Sequence, residues 1–144
     1  MNAIANAAAA GAAGALTTNL LHELTRRSFS DAPRVDLLGM QALAKTLDIA
    51  GAPVPKGRAL YRATLAADLL SNGVYFAAVA PWRNPVLAGV VLGAAAGLGA
   101  VVLPEPMGLS PEPTSRTPQT SIVTALLYTA GGIAAGLLYA ALRE

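Results

Sequence analysis

The sequence predicts an all-α membrane protein: four transmembrane helices in a compact bundle, with a short interfacial helix between helices 1 and 2. Three observations lead there. Of the 144 residues, 54% are hydrophobic and 12% charged, against about 25% charged in soluble domains, so there are too few ions to cover a water-facing surface. Four stretches approach the roughly 20 apolar residues that cross a bilayer core. The polar residues inside those stretches keep to one face when laid out at about 100° per residue. The length fits one domain.

The first predicted span covers residues 3–24, AIANAAAAGAAGALTTNLLHEL. Alanine is only marginally apolar, and a signal peptide would carry its basic residues ahead of the apolar run. Here nothing basic precedes Arg26, and Arg26-Arg27 follow the run directly, which predicts a retained helix with its N-terminus outside. Gly11, Ala15, Thr18 and His22 share a face, with Asn19 and Arg26 beside it.

Residues 34–49 read as a short helix. Gln41, Lys45 and Asp48 make a narrow polar stripe on it, and a charged segment this short is expected to lie in the interface. Gly51-Ala52-Pro53-Val54-Pro55-Lys56-Gly57 breaks the chain before the second span, 59–80. That span carries the most informative pattern: Tyr61, Thr64, Asp68, Ser71, Asn72 and Tyr75 fall within a sector of about 100°. Asp68 is expected near the bilayer midplane. A carboxylate there costs at least ~2.5 kcal/mol and must face protein or water.

Pro81-Trp82-Arg83-Asn84-Pro85 is a tight turn into the third span, 86–103. Asn84 is placed to cap, Pro85 suits the first helical position and Trp82 suits the interface, so spans two and three are expected to form an antiparallel hairpin. Gly89, Gly93 and Gly97 form a small-residue ridge that reads as close helix packing. Residues 104–118, PEPMGLSPEPTSRTP, hold five prolines and predict an extended, non-helical connector over 104–117. Thr117-Pro118 then starts the fourth span, 118–142, whose polar face includes Thr120, Thr124 and Tyr128.

Seven of the ten basic residues, Arg26, Arg27, Arg34, Lys45, Lys56, Arg58 and Arg62, lie at the ends of spans one and two or between them. Positive-inside bias puts that side in the cytoplasm and both termini outside it, as for a protein of a bacterial inner membrane.

Two sets of candidate site residues result. A polar path for a proton, cation or small solute would use Asp68, His22, Asn72, Tyr75, Thr64, Tyr61, Thr18, Thr124 and Tyr128. An anion or headgroup site would use Arg26, Arg34, Arg62 and Arg116, with Thr117 at a helix N-terminus and Glu23 as an acid–base partner of His22. The sequence thus predicts a transporter or channel-like protein. The alternatives are an enzyme or binding protein for a phosphorylated lipid, and an accessory subunit docking by its glycine faces.

Partners expected are the bilayer, anionic headgroups and a second copy of the chain. No nucleic-acid pattern, P-loop or dinucleotide fingerprint is present, and no cofactor or metal is expected. His22-Glu23-Leu24-Thr25-Arg26 starts like a zinc helix, but its fifth residue is arginine and the chain has no second histidine and no cysteine.

Overall fold

A computed structural model describes residues 2–144. Among them there are six helices and no strands: α1 (Ala3–Arg26), α2 (Val35–Ile49), α3 (Gly57–Ala77), α4 (Pro85–Val102), the single turn α5 (Glu112–Ser115) and α6 (Pro118–Leu142). The start signals act as read. Asn84 Oδ1 accepts from the Leu87 amide at 3.0 Å with Pro85 in the first turn of α4. Thr117 Oγ1 accepts from the Thr120 amide at 3.1 Å at the head of α6. Each cap satisfies an amide that the helix cannot pair itself.

Two helices, α4 and α6, are long and apolar enough to cross a membrane, with mean hydropathy of 2.1 and 1.7. They keep most of that surface outward: 28% and 39% of their most apolar windows is buried, unlike the core helices of a soluble protein. α1 and α3 have the length but not the composition. The first is dominated by alanine, and the second carries Arg58, Arg62, Asp68 and a row of hydroxyl and amide side chains.

The four long helices are antiparallel to their neighbours in the order α3, α1, α6, α4. Glycine determines who packs on whom. Gly89, Gly93 and Gly97 of α4 are buried against α6, where an added Cβ would run into the backbone at Gly132, Tyr128 and Ala125. Gly11 of α1 meets Gly73 and Ala77 of α3, and Gly14 meets Gly131 of α6. Backbones at this separation gain dispersion contacts that larger side chains would hold apart. The α4 ridge, open to an oligomer contact when read from the sequence, is therefore occupied within the chain.

The expected hairpin of α3 and α4 is corrected in its packing. The two helices are antiparallel and joined by a short turn, yet they touch little; the Tyr75 hydroxyl donating to Leu92 O at 2.8 Å is their hydrogen bond. Each has its small-residue face turned elsewhere, α3 toward α1 and α4 toward α6. The connector is corrected too. Residues 112–115 form a helical turn despite Pro111 and Pro113, because proline is tolerated where the helix's first amides have no partner anyway.

α2 does not present its polar stripe to solvent alone. Lys45 Nζ donates to Met107 O at 2.6 Å, and Gln41 Oε1 accepts from the Ser110 amide at 2.9 Å. The stripe clamps α2 to the connector, and the Arg34 amide donates to Pro113 O at 2.7 Å at its near end. α2 and the connector thus close one end of the bundle, beneath α3 and α4.

Candidate functional site

At the α2 end, α1 and α3 part enough to leave a cavity of about 300 Å³. α1 contributes Asn19, His22 and Glu23, α2 contributes Val35, Asp36 and Gly39, and α3 contributes Tyr61, Thr64 and Asp68. Leu16 and Leu20 of α1 and Leu65 of α3 also line it while being exposed on the outer surface. The cavity therefore opens sideways between α1 and α3 and has apolar lips and a polar floor.

Asp68 anchors the floor. Its Oδ2 accepts from Asn19 Nδ2 at 2.8 Å, and its Oδ1 accepts from Asn72 Nδ2 at 2.9 Å. Both donors are neutral amides. Among the described residues Asp68 has no ion-pair partner, and no lysine or arginine lines the cavity. Thr64, a residue of the same wall and 5% exposed, has a buried hydroxyl oxygen with no hydrogen-bond partner. Orphaned buried hydroxyls are uncommon in packed proteins.

The second polar group lies where α1 meets α2. His22 Nε2 donates to Pro33 O at 3.1 Å and stands 3.5 Å from Asp36 Oδ1. Because a carbonyl only accepts, the Nε2 atom carries the proton. Asp36 also takes two bonds from Arg34, from Nε at 2.9 Å and from a terminal nitrogen at 2.8 Å. Burial pushes the Asp36 carboxyl up, but the paired bonds from Arg34 outweigh it and hold the carboxyl below its ordinary value of 3.8.

On its other side Asp68 borders a second hollow of about 560 Å³, the gap that α3 and α4 leave above α2 and the connector. Ser71, Asn72 and Tyr75 of α3 line it opposite Ala96 and Gly99 of α4, with Tyr128 of α6 at the back. In the opposite half of the bundle Ala10, Phe76, Val79, Ala88 and Ala135 are fully buried, and Gly11, Gly14, Gly89 and Gly132 bring neighbouring backbones together.

The polar-path residues thus divide. His22, Thr18, Tyr61, Thr64 and Asp68 line the sideways cavity, while Asn72, Tyr75 and Tyr128 line the second hollow. Thr124 belongs to neither, since its hydroxyl bonds Thr120 O at 2.8 Å and Thr114 O at 3.0 Å. Three of the four arginines of the anion set have an acid partner: Arg26 on Glu23 at 2.6 Å, Arg34 on Asp36 at 2.8 Å, and Arg116 on Asp31 at 3.3 Å, with Ser30 O at 2.7 Å as well. Arg62 is exposed on α3, and Thr117 serves as the α6 cap.

Two residues outside both sets, Asn19 and Asp36, are side-chain partners of Asp68 and His22. Asn19 is the one amide on the inner half of α1, and Asp36 follows Arg34 by two residues; these were the available signals. Among the described residues no group of three or more histidine, aspartate or glutamate side chains is arranged to hold a metal ion. Comparison of the chain with protein-family models, curated proteins and solved structures gives no match.

Proposed function

We propose that this chain is a small four-span membrane protein that handles a cation at Asp68. The observation that carries the reading is a carboxylate midway along α3, held by two amides, bordering two hollows and lacking an ion-pair partner. A charge in that position is costly unless a cation, proton included, accompanies it. The four-span arrangement draws support from the outer surface of α1 and α3, where Ile4, Leu16, Leu20, Leu65, Leu70 and Val74 are exposed beside the apolar faces of α4 and α6. With eight of the ten basic residues toward the α2 end, that end faces the cytoplasm and its anionic headgroups.

In this reading the cation reaches Asp68 from the cytoplasmic half, and transport to the other side requires the glycine-packed half to part. The phosphorylated-lipid reading draws less support, because three of its four arginines are already paired with acids and none of the four lines either hollow. Difference infrared spectroscopy of the protein in liposomes tests the proposal. A pH step should produce a carboxyl band that is absent from Asp68→Asn, and the same variant should lose cation-coupled flux. A band and flux unchanged in Asp68→Asn would remove Asp68 from the mechanism.

A further inference from the structure

We infer that the cation taken at Asp68 is the ammonium group of an amphiphilic amine, which slides in from the bilayer between α1 and α3. The inference rests on the reading of Asp68 as a cation site and adds the chemistry of the ligand and its route.

The shape of the cavity argues against a bare ion. Its volume of about 300 Å³ is far larger than a proton or an inorganic cation needs. A metal ion would also want several oxygen or nitrogen ligands converging on it, and the described residues include no such group. An organic molecule of modest size fills the space instead, in the low range of small-molecule pockets.

The chemistry of the walls fixes the ligand's two ends. Leu16, Leu20, Leu65 and Leu69 form an apolar entrance, with Leu20 64% and Leu16 51% exposed. Their exposed position beside the hydrocarbon makes a tail lying there continuous with the surrounding acyl chains. The inner end presents acceptors: the Asp68 carboxylate and the orphaned Thr64 hydroxyl, with the Tyr61 ring on the same wall. An ammonium group supplies the N–H donors and positive charge that this set lacks, and an aromatic face adds cation–π attraction. A phosphate or carboxylate head meets the Asp68 carboxylate, which has no ion-pair partner, with no lysine or arginine among the lining residues, and is repelled. A neutral alcohol leaves Asp68 uncompensated.

The route also accounts for Gly39. A Cβ on that residue would stand 2.8 Å from Thr64 Cγ2, so a larger residue in α2 would press on the cavity wall where the head group is to sit.

The test uses the whole protein in nanodiscs of zwitterionic lipid, with decylamine, decan-1-ol and decyl sulfate as probes. Binding is read by native mass spectrometry and by the shift of the thermal midpoint. One decylamine should bind per chain and raise the midpoint, and the alcohol and the sulfate should not. Asp68→Asn should bind the amine about tenfold more weakly, the loss expected for one charge-assisted contact. Leu20→Trp, a change at an exposed position that touches none of the polar bonds, should narrow the entrance and weaken amine binding while leaving the Asp68 carboxyl band intact. Equal binding of the sulfate or alcohol, or full amine binding by Leu20→Trp, overturns the inference while the infrared test of Asp68 as a cation site still stands. Loss of the infrared result removes the reading beneath it.

Discussion

The two halves of this bundle are built from the same four helices by opposite rules. In the half near Asn2, glycine and alanine bring backbones into contact, and the fully buried side chains are Phe76, Val79 and a few alanines. In the half near α2, α4 and α6 stay together through Gly93 and Gly97, but α3 stands apart from its neighbours, and the space on the α1 side holds Asn19, His22, Thr64 and Asp68. The contrast teaches that small residues here set helix spacing and polar residues occupy the room that spacing leaves. Close packing on one side is what allows a rigid, partly open pocket on the other.

The comparison breaks most visibly within α4 itself. Gly89→Leu pushes a side chain into the Gly132 carbonyl and its backbone, which cannot yield, whereas Gly99→Ala meets only Leu103 Cδ1 at an ordinary 3.4 Å. The first substitution is expected to cost about 3 kcal/mol or abolish folding. The second should stay within about 0.5 kcal/mol. Thermal unfolding of both variants in one detergent checks the difference; similar losses would mean that the glycines are not what distinguishes the halves.

Next in size is the Asn19 bond to Asp68. Asn19→Ala strips one of two amide donors from a carboxylate that has no charge partner and should destabilise the protein by roughly 1–2 kcal/mol. In an Asp68→Ala background the same change should cost much less, and that non-additivity is the measurement. Simple additivity would mean that the two side chains do not interact.

A smaller effect comes from pH. The Asp36 carboxyl is held below its ordinary value, chiefly by Arg34 working against burial. Its contribution to stability is therefore full above the ordinary carboxylate range and is lost as the pH falls through the lowered value. Arg34→Ala should start the acid loss of stability at a higher pH, read from unfolding midpoints across an acid series. An unchanged acid limb would show that Arg34 does not hold Asp36. Least of all, Lys45→Ala should cost about 0.5–1 kcal/mol and speed amide exchange at Gly108 and Leu109, where the connector is clamped. Unaltered exchange there would show that the clamp does not hold.

Much of the helical frame was legible from the chain because its signals are local. Asn84-Pro85 and Thr117-Pro118 start helices by their own chemistry, and Gly51 through Gly57 interrupts one. What the sequence hid was pairwise. Nothing in α3 alone says that its small face seeks Gly11 rather than the neighbouring α4, so the hairpin was expected to pack. The connector's proline count masked a helical turn whose amides needed no partners. Asp68 was readable as an anomaly of depth, and His22 as the one histidine. Asn19 and Asp36 were not, since their roles depend on the angle between α1 and the helices that it meets.

One bond joins the two extremes of the described helices: Asn6 Nδ2 donates to Leu142 O at 2.9 Å. α1 sits between α3 and α6, so its buried polar side chains depend on helices far away in sequence. Asn6 closes on the last turn of α6, and Thr18 stands where a Cβ at Gly131 would fall. Docking of α6 thus satisfies an amide that the rest of the bundle leaves open, and an intermediate in which α6 has not docked exposes that amide beside the small-residue face of α1, the kind of species that quality-control proteases recognise.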